Sequence, residues 1–201
     1  MPVSRRLLVR TVAAALSAIV IAAVAFRFRA HGHLRSNHEL TERQLTANPS
    51  ENSISAQAIS RDGKYLTYTD FLSRSLYLLA IDSGELRQLP FSTQYQPVDW
   101  FADGTHLLLE NVPNGELWKM SIMDSSLRKL WTGTVGLAAI SPDDSNIAFV
   151  VAEHEIWLMG ADGGEPHKIL TSPDASLSGL AWSPTSQRLA YLRMAGTATN
   201  L

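Results

Sequence analysis

One short stretch recurs four times in this chain, and that recurrence limits its fold more than any other feature. "QAISRDGKYLTYT" begins at residue 57, "VDWFADGTHLLLE" at 98, "AAISPDDSNIAFV" at 138 and "LAWSPTSQRLAYL" at 180, so the starts are 41, 40 and 42 residues apart. Each copy is an apolar lead-in, a turn built on Ser, Pro, Asp or Gly, and a run rich in aromatic and β-branched residues, the pattern of a β-hairpin. A regular period of this length means that one supersecondary unit is repeated, and that each unit buries its apolar faces against its neighbours.

The rest of each unit adds two more strands. In the first, "SLYLLAI" (75–81) is followed by the turn "DSGE" (82–85) and a closing strand "LRQL" (86–89). The order returns as "ELWKMSI" (116–122), "MDSS" (123–126) and "LRKL" (127–130), and again as "EIWLMGA" (155–161), "DGGE" (162–165) and "PHKIL" (166–170). Four short strands per repeat of about 40 residues predict an all-β chain folded as a β-propeller. Tyr77, Trp118 and Trp157 hold one equivalent position, 41 and 39 residues apart, and are expected to pack between blades. The acidic residues Asp62, Asp103, Asp143 and Asp144 recur in the first turn. No D-x-D-x-D-G loop surrounds them, so they are read as turn formers and not as calcium ligands.

The N-terminus is of a different kind. Residues 11–26, "TVAAALSAIVIAAVAF", form 16 residues without a charge, and the apolar stretch reaches 20 when residues 7–10 are included with Arg10 reaching outward. The sequence predicts a single transmembrane helix. A cleaved secretory signal is the alternative, because Arg5 and Arg6 precede the run and Ala23, Val24 and Ala25 resemble a cleavage site; a buried helix is the third reading. Arg5, Arg6 and Arg10 on one side balance Arg27, Arg29 and Arg35 on the other, so the positive-inside rule gives no orientation. The short N-terminal tail is the usual form of a start-transfer signal, which places the tail in the cytoplasm and the repeats outside it.

Charge divides at the same point. Residues 1–35 hold six Arg and no acid, leaving 11 basic against 19 acidic residues in the remainder. An acidic body repels phosphate backbones, so this part is not expected to bind nucleic acid. The polar stretch "RAHGHLRSNHELTER" (29–43) reads as a juxtamembrane linker, and His31, His33 and His38 within it as solvated residues with no scaffold to hold a metal. The expected domains are a membrane anchor or signal at 1–28, the linker at 29–43, and repeats at 44–201, divided into 44–90, 91–131, 132–170 and an incomplete 171–201. The absence of Cys excludes disulfides, zinc-thiolate sites and thiol catalysis.

The segment "ISPDDSNIAFVVAEHEIWLMGADGGEPHKIL" (140–170) resembles the repeat of TolB-type, WD-like propellers, with its Ser-Pro-Asp turn, Ala-Phe pair, Ile-Trp strand and Asp-Gly-Gly turn. "QLTANPSENSISAQAISRDGKYLTYTD" (44–70) is similar to the opening blade of bacterial single-pass membrane proteins that carry such a propeller after a winged-helix or kinase domain. Neither domain has room here, and no Gly-rich loop, H-R-D or D-F-G occurs. Arg61 in place of the turn Pro, Phe101-Ala102 in place of Ser-Pro, and Thr185-Ser186 in place of Asp-Gly depart from the pattern, and are expected to weaken those turns. The fourth unit lacks its last two strands, which predicts three complete blades and half of a fourth in an open arc. A piece of a longer protein explains this; a homo-oligomeric ring of arcs is the alternative.

Catalytic patterns are missing. There is no G-x-S-x-G or H-E-x-x-H, and "SLRK" (126–129) falls in a turn and a closing strand. His106 in the second repeat and His154 and His167 in the third read as surface or packing residues. No catalytic, cofactor-binding or metal-ligating residue is assigned, and the chain is not expected to be an enzyme. The resemblance implies a binding module in the bacterial inner membrane with its repeats in the periplasm, the sensor part of a signalling protein, taking a protein or peptide on the propeller face. A soluble TolB-like periplasmic protein that docks partners, and the non-catalytic propeller of a prolyl-oligopeptidase-like enzyme, are the alternatives. Self-association is a further expectation, as a way to close the propeller.

Overall fold

The computed structural model describes residues 42–46, 53–90 and 94–195, and every regular element among them is a β-strand. The chain divides into two units, Met1–Gln44 and Leu45–Leu201, and all of these strands belong to the second. Residues 1–28, the expected membrane anchor or signal, and His31, His33 and His38 lie outside the described residues. Among the described residues no helix is long and apolar enough to cross a membrane.

Fourteen strands form four antiparallel sheets in sequence order. Blade 1 consists of β1 (Ile54–Ile59), β2 (Tyr65–Asp70), β3 (Leu76–Ala80) and β4 (Leu86–Gln88). Blade 2 follows with β5 (Tyr95–Trp100), β6 (His106–Asn111), β7 (Glu116–Ser121) and β8 (Leu127–Trp131). Blade 3 holds β9 (Val135–Ile140), β10 (Asn146–Val151), β11 (Glu155–Gly160) and β12 (His167–Thr171). Blade 4 has only β13 (Ala175–Trp182) and β14 (Leu189–Ala195). The first strands are innermost, β1 against β5, β5 against β9 and β9 against β13. This is the predicted partial propeller; the third and fourth strands of the three complete repeats fall within one residue of the limits read from sequence, and the first strands begin three residues before the recurrent stretches at 57, 98 and 138.

Packing follows from the period of two along each strand. Leu107, Leu108 and Leu109 are consecutive in β6 and all fully buried. Leu107 and Leu109 join Leu76, Leu78 and Trp100 in a core between blades 1 and 2, while Leu108 joins Phe149, Ile147 and Met159 in a second core between blades 2 and 3. A smaller third core, Val150, Ile156 and Leu177, lies between blades 3 and 4. Each full sheet thus has two apolar faces, as a stacked blade requires.

The four first turns share one backbone device. Their fourth residue is left-handed in every repeat: Gly63 at φ 72°, Gly104 at 65°, Asp144 at 57° and Ser186 at 58°. Gly adopts this region freely and Asp tolerates it, so the Asp-Gly, Asp-Asp and Thr-Ser sequences build the same turn. Turn-forming Asp is also what the bonds show: Asp62 Oδ1 accepts from Lys64 N at 3.1 Å, Asp103 Oδ1 from Thr105 N at 2.8 Å and Asp143 Oδ1 from Ser145 N at 3.1 Å.

Trp100 ties blade 2 to blade 1. Its side chain is fully buried, its Nε1 donates to Ala58 O and Thr67 Oγ1, each at 3.2 Å, and its ring stacks on Tyr65 at 5.9 Å. Trp182 repeats the device two units on, donating from Nε1 to Ala139 O at 3.1 Å. At the blade 2 to blade 3 joint, where Ile140 stands in place of Trp, Asp99 Oδ2 accepts from Ile140 N at 3.0 Å. Trp100→Ala is expected to lower stability by about 3–5 kcal/mol through the cavity, and Trp100→Phe by about 0.5–1.5 kcal/mol, since Ala58 O keeps the bond it accepts from Thr67 Oγ1 at 3.1 Å. Urea unfolding followed by circular dichroism measures both.

Candidate interaction surfaces

Two ends of the strands differ in what they expose. The first turns and the β3–β4, β7–β8 and β11–β12 turns share one end, because Ile81 N donates to Lys64 O, Ile122 N to Thr105 O and Ala161 N to Ser145 O. On this end the first turns of separate blades are joined by side chains. Arg61 of blade 1 reaches blade 3, where its guanidinium donates to the carbonyls of Pro142, of Ser141 at 2.9 Å and of Ile140 at 3.3 Å. It also lies 3.7 Å from the Asp144 carboxylate, which in turn accepts from Ala102 N of blade 2 at 2.8 and 2.9 Å. Three blades are therefore held by one Arg and one Asp. Ser186 Oγ of blade 4 accepts from Asp143 N at 3.1 Å and extends the chain of bonds to the last turn.

This corrects the expectation that Arg61 weakens its turn. A Pro at that position has no side-chain donor, whereas the guanidinium offers five in a fixed fork that suits a row of carbonyls. Asp144 likewise does more than shape a turn. Neither role had a local signal, because the partners are 79 to 81 residues away from Arg61 and 42 from Asp144.

The other end carries the β2–β3, β6–β7 and β10–β11 turns and the blade connections. The turn 151–154 holds Ala152 at φ 49° and Glu153 at φ 62°, two left-handed residues in succession without a Gly. Its neighbours fix it. Glu153 O accepts from Leu177 N at 2.6 Å, His154 O from Ser172 N at 2.7 Å, and His154 Nδ1 bonds Ala175 O at 2.9 Å. His154 is thus a joint between blades 3 and 4, a packing role as expected. His106 Nδ1 meets Asp103 Oδ2 at 2.7 Å and His167 Nδ1 meets Glu165 O at 3.0 Å. The three histidines are not brought together, and among the described residues no group of acidic residues and histidines could hold a metal ion.

Two of the aromatic row pack between blades: Trp118 lies against the core of blades 1 and 2 and meets Tyr95 of its own blade edge to face at 5.8 Å, and Trp157 meets Trp131 of blade 2 at 5.4 Å, whereas Tyr77 stacks on Tyr68 of its own sheet at 5.4 Å. Each Trp also has an acidic and a basic partner: Glu116 accepts from Trp118 Nε1 at 3.3 Å and Lys129 Nζ at 2.8 Å, and Glu155 accepts from Trp157 Nε1 and Lys168 Nζ at 2.8 and 2.9 Å. Blade 1 replaces this triad by Ser75, Tyr77 and Gln88, with Gln88 Nε2 donating to Ser75 Oγ at 3.3 Å.

Among the described residues, nothing covers one face and one edge of blade 4. β14 pairs with β13 and with no other described strand. Leu192 occupies the place of Val150 in the repeat, yet Val150 is 2% exposed beneath blade 4 and Leu192 is 63% exposed, with Met194 beside it at 55%. Two clefts open on the same end of the sheets. One, of about 280 Å³, lies between blades 1 and 2 and is lined by Tyr65, Leu78, Ala80, Glu85, Arg87, Ile122 and Met123. The other, of about 350 Å³, opens on blade 2 beside His106, Lys119 and Arg128.

No family model and no curated protein matches the chain. Solved structures do match it. Hydrazine synthase of Kuenenia stuttgartiensis aligns with a TM-score of 0.55 at 16% identity over 70% of this chain and 44% of its own. A chain of the nidogen/laminin complex aligns with a TM-score of 0.59 at 14% identity over 71% and 57%. Oligogalacturonate lyase in complex with manganese aligns with a TM-score of 0.56 at 18% identity over 77% and 50%. The chain thus spans about half the length of the structures it resembles. What they share with it is the fold, and the class that fold and sheet order define is a β-propeller, here present in part.

Two measurements test the turn network. In a double-mutant cycle, Arg61→Ala and Asp144→Ala are expected to couple by about 0.5–2 kcal/mol, since the two share partners across three blades. Acid is expected to loosen the same end of the sheets. The Lys64 ammonium and Ser60 hydroxyl hold Asp62 at a pKa of about 2, and Ser126 N with the Ser121 and Ser126 hydroxyls hold Asp124 at about 2. Both carboxylates bind protons more weakly in the folded chain, so their stabilisation is complete above the ordinary carboxylate pKa of about 4 and is lost as pH falls toward 2. Burial raises Asp99, and protonating it acts in the opposite direction. Thermal melting between pH 5 and pH 2 at fixed ionic strength should show a falling midpoint, with a shallower fall in Asp62→Asn.

Proposed function

We propose that the chain is an extracytoplasmic β-propeller binding module, held to a membrane by residues 7–26 and serving as the sensor part of a signalling protein. The resemblance of 140–170 to TolB-type repeats supports the choice of a module that takes a protein or peptide. We place the seat of that partner on blade 4. The observation that carries this is Leu192, exposed among the described residues at the place where the preceding repeat buries Val150 under a neighbouring blade. A strand added to β14, whether from a partner or from a further part of the same protein, would pair with its edge and cover apolar side chains on one face, the mode in which sheet edges recruit peptides. A propeller chain in the nidogen/laminin complex is a neighbour that engages a protein, which fits this reading without identifying the partner.

The absence of native Cys makes a direct test available. Ser83→Cys, in the exposed β3–β4 turn, should react with a membrane-impermeant maleimide in intact spheroplasts. Leu192→Cys should react at least fivefold more slowly there than in the purified full chain in detergent, because a partner covers it in the cell. Labelling of Ser83→Cys only after lysis would overturn the topology, and equal labelling of Leu192→Cys in both settings would overturn the docking seat.

A further inference from the structure

The two clefts occupy the same place in successive repeats but differ in chemistry. Tyr65, Leu78, Ala80 and Arg87 of blade 1 correspond to His106, Lys119, Ser121 and Arg128 of blade 2, and to Asn146, Leu158, Gly160 and His167 of blade 3. Strand register fixes this correspondence. Lys119 lies directly opposite Arg128, and His106 directly opposite Ser121, so all four point to one side of the sheet. In blade 1 the opposed pair is Leu78 and Arg87, and in blade 3 Leu158 and His167. Blade 2 alone sets Lys against Arg.

Like charges directly opposite on neighbouring strands destabilise a sheet. The arrangement is odder because nothing neutralises it. Among the described residues the Lys119 side chain makes no ion pair, its Nζ lying over the Phe101 ring at 3.8 Å, and the Arg128 guanidinium makes no side-chain hydrogen bond or ion pair. Arg87, the equivalent of Arg128, is by contrast engaged, donating to Ile122 O at 2.8 Å. Carboxylates on the adjoining turns are already occupied: Asp103 by Thr105 N and His106, Asp124 by Ser126, and Asp162 by Gly164 N. The two cations therefore sit unneutralised on an otherwise acidic body, at a cleft of about 350 Å³ whose lining also includes the hydroxyls of Ser121 and Ser126.

We infer that this cleft on blade 2 binds a phosphate-type oxyanion, with Arg128 and Lys119 neutralising it and the Nε2 of His106, whose Nδ1 is held by Asp103, able to supply a further hydrogen bond. A guanidinium fork matches a tetrahedral oxyanion in two bonds at once, and an ammonium beside it adds a point charge. The cleft has room for more than the anion itself, so a small organic phosphate fits as well as free phosphate. It is a different surface from β14, and the inference stands apart from the proposed docking seat and from membrane attachment.

The test uses the full chain purified in detergent, titrated with inorganic phosphate and with glucose 6-phosphate at constant ionic strength, followed by calorimetry and by melting temperature. Wild-type protein should bind at least one of the two in the millimolar range or tighter. Lys119→Leu, which installs the residue of the two neighbouring repeats, should melt higher than wild type without phosphate and should bind at least tenfold more weakly. Arg128→Gln should also bind at least tenfold more weakly, while Arg87→Gln should leave binding unchanged. Tighter binding of glucose 6-phosphate supports the site and assigns the extra volume to an organic body; equal binding supports the site and assigns it to free phosphate. Absence of binding to wild type, or an equal response of all four proteins, would overturn the inference.

Discussion

The interaction on which the rest depends is the face-to-face packing of small sheets that are apolar on both sides. Three successive leucines in β6, fully buried and pointing alternately to blade 1 and blade 3, make the case within one strand. A sheet of this kind left alone would expose both apolar faces to water at about 25 cal/mol per Å². Stability therefore resides in the joints between repeats, as it does in other repeat architectures. The polar bonds that cross those joints supply position more than energy. A buried indole N–H that must find an acceptor, as in Trp100 and Trp182, fixes how far one inner strand slides along the next.

Repeat period, strand order and the open fourth unit were legible because each depends on residues close in sequence. Turn chemistry, alternation and the four-fold return of one hairpin are local signals, and they gave strand limits close to those observed. What was not legible depends on distance or on permissive backbone. Arg61 read as a poor substitute for Pro, and only the curvature that brings blade 1 to blade 3 shows its guanidinium on three carbonyls. The sequence V-A-E-H gave no hint of a tight turn, since neither Ala nor Glu favours the left-handed region. That turn persists because blade 4 binds it through Glu153 O, His154 O and His154 Nδ1. Trp100 and Trp182 had a signal that went unused: they stand two periods apart at the same hairpin position.

The Arg61 and Asp144 network also sets the angle between the described blades. Interblade packing joins each sheet to the next, whereas side chains that skip a neighbour bind three sheets at once. Arg61 spans from blade 1 to blade 3 across blade 2, and Asp144 returns from blade 3 to the blade 2 backbone, so the angle of three successive sheets is set at their inner ends. Blade 4, tied by Asp143 N to Ser186 and by Arg193 Nε to Ser172 Oγ, is held by its immediate neighbour only.

Function in a repeat scaffold is best sought where equivalent positions stop being equivalent. Interblade positions are interchangeable among apolar residues, and the first turns among small and acidic ones, because packing and backbone conformation demand no more than that. Lys119 opposite Arg128 meets no such demand. Leu78 and Leu158 show that an apolar residue satisfies the fold at the Lys119 position, and Arg87 shows that an Arg at the neighbouring position can be used for a joint. Blade 2 departs from both solutions at once and retains an electrostatic cost that the scaffold does not require. The Lys119 ammonium over the Phe101 ring offsets part of that cost, and a bound anion would remove the remainder.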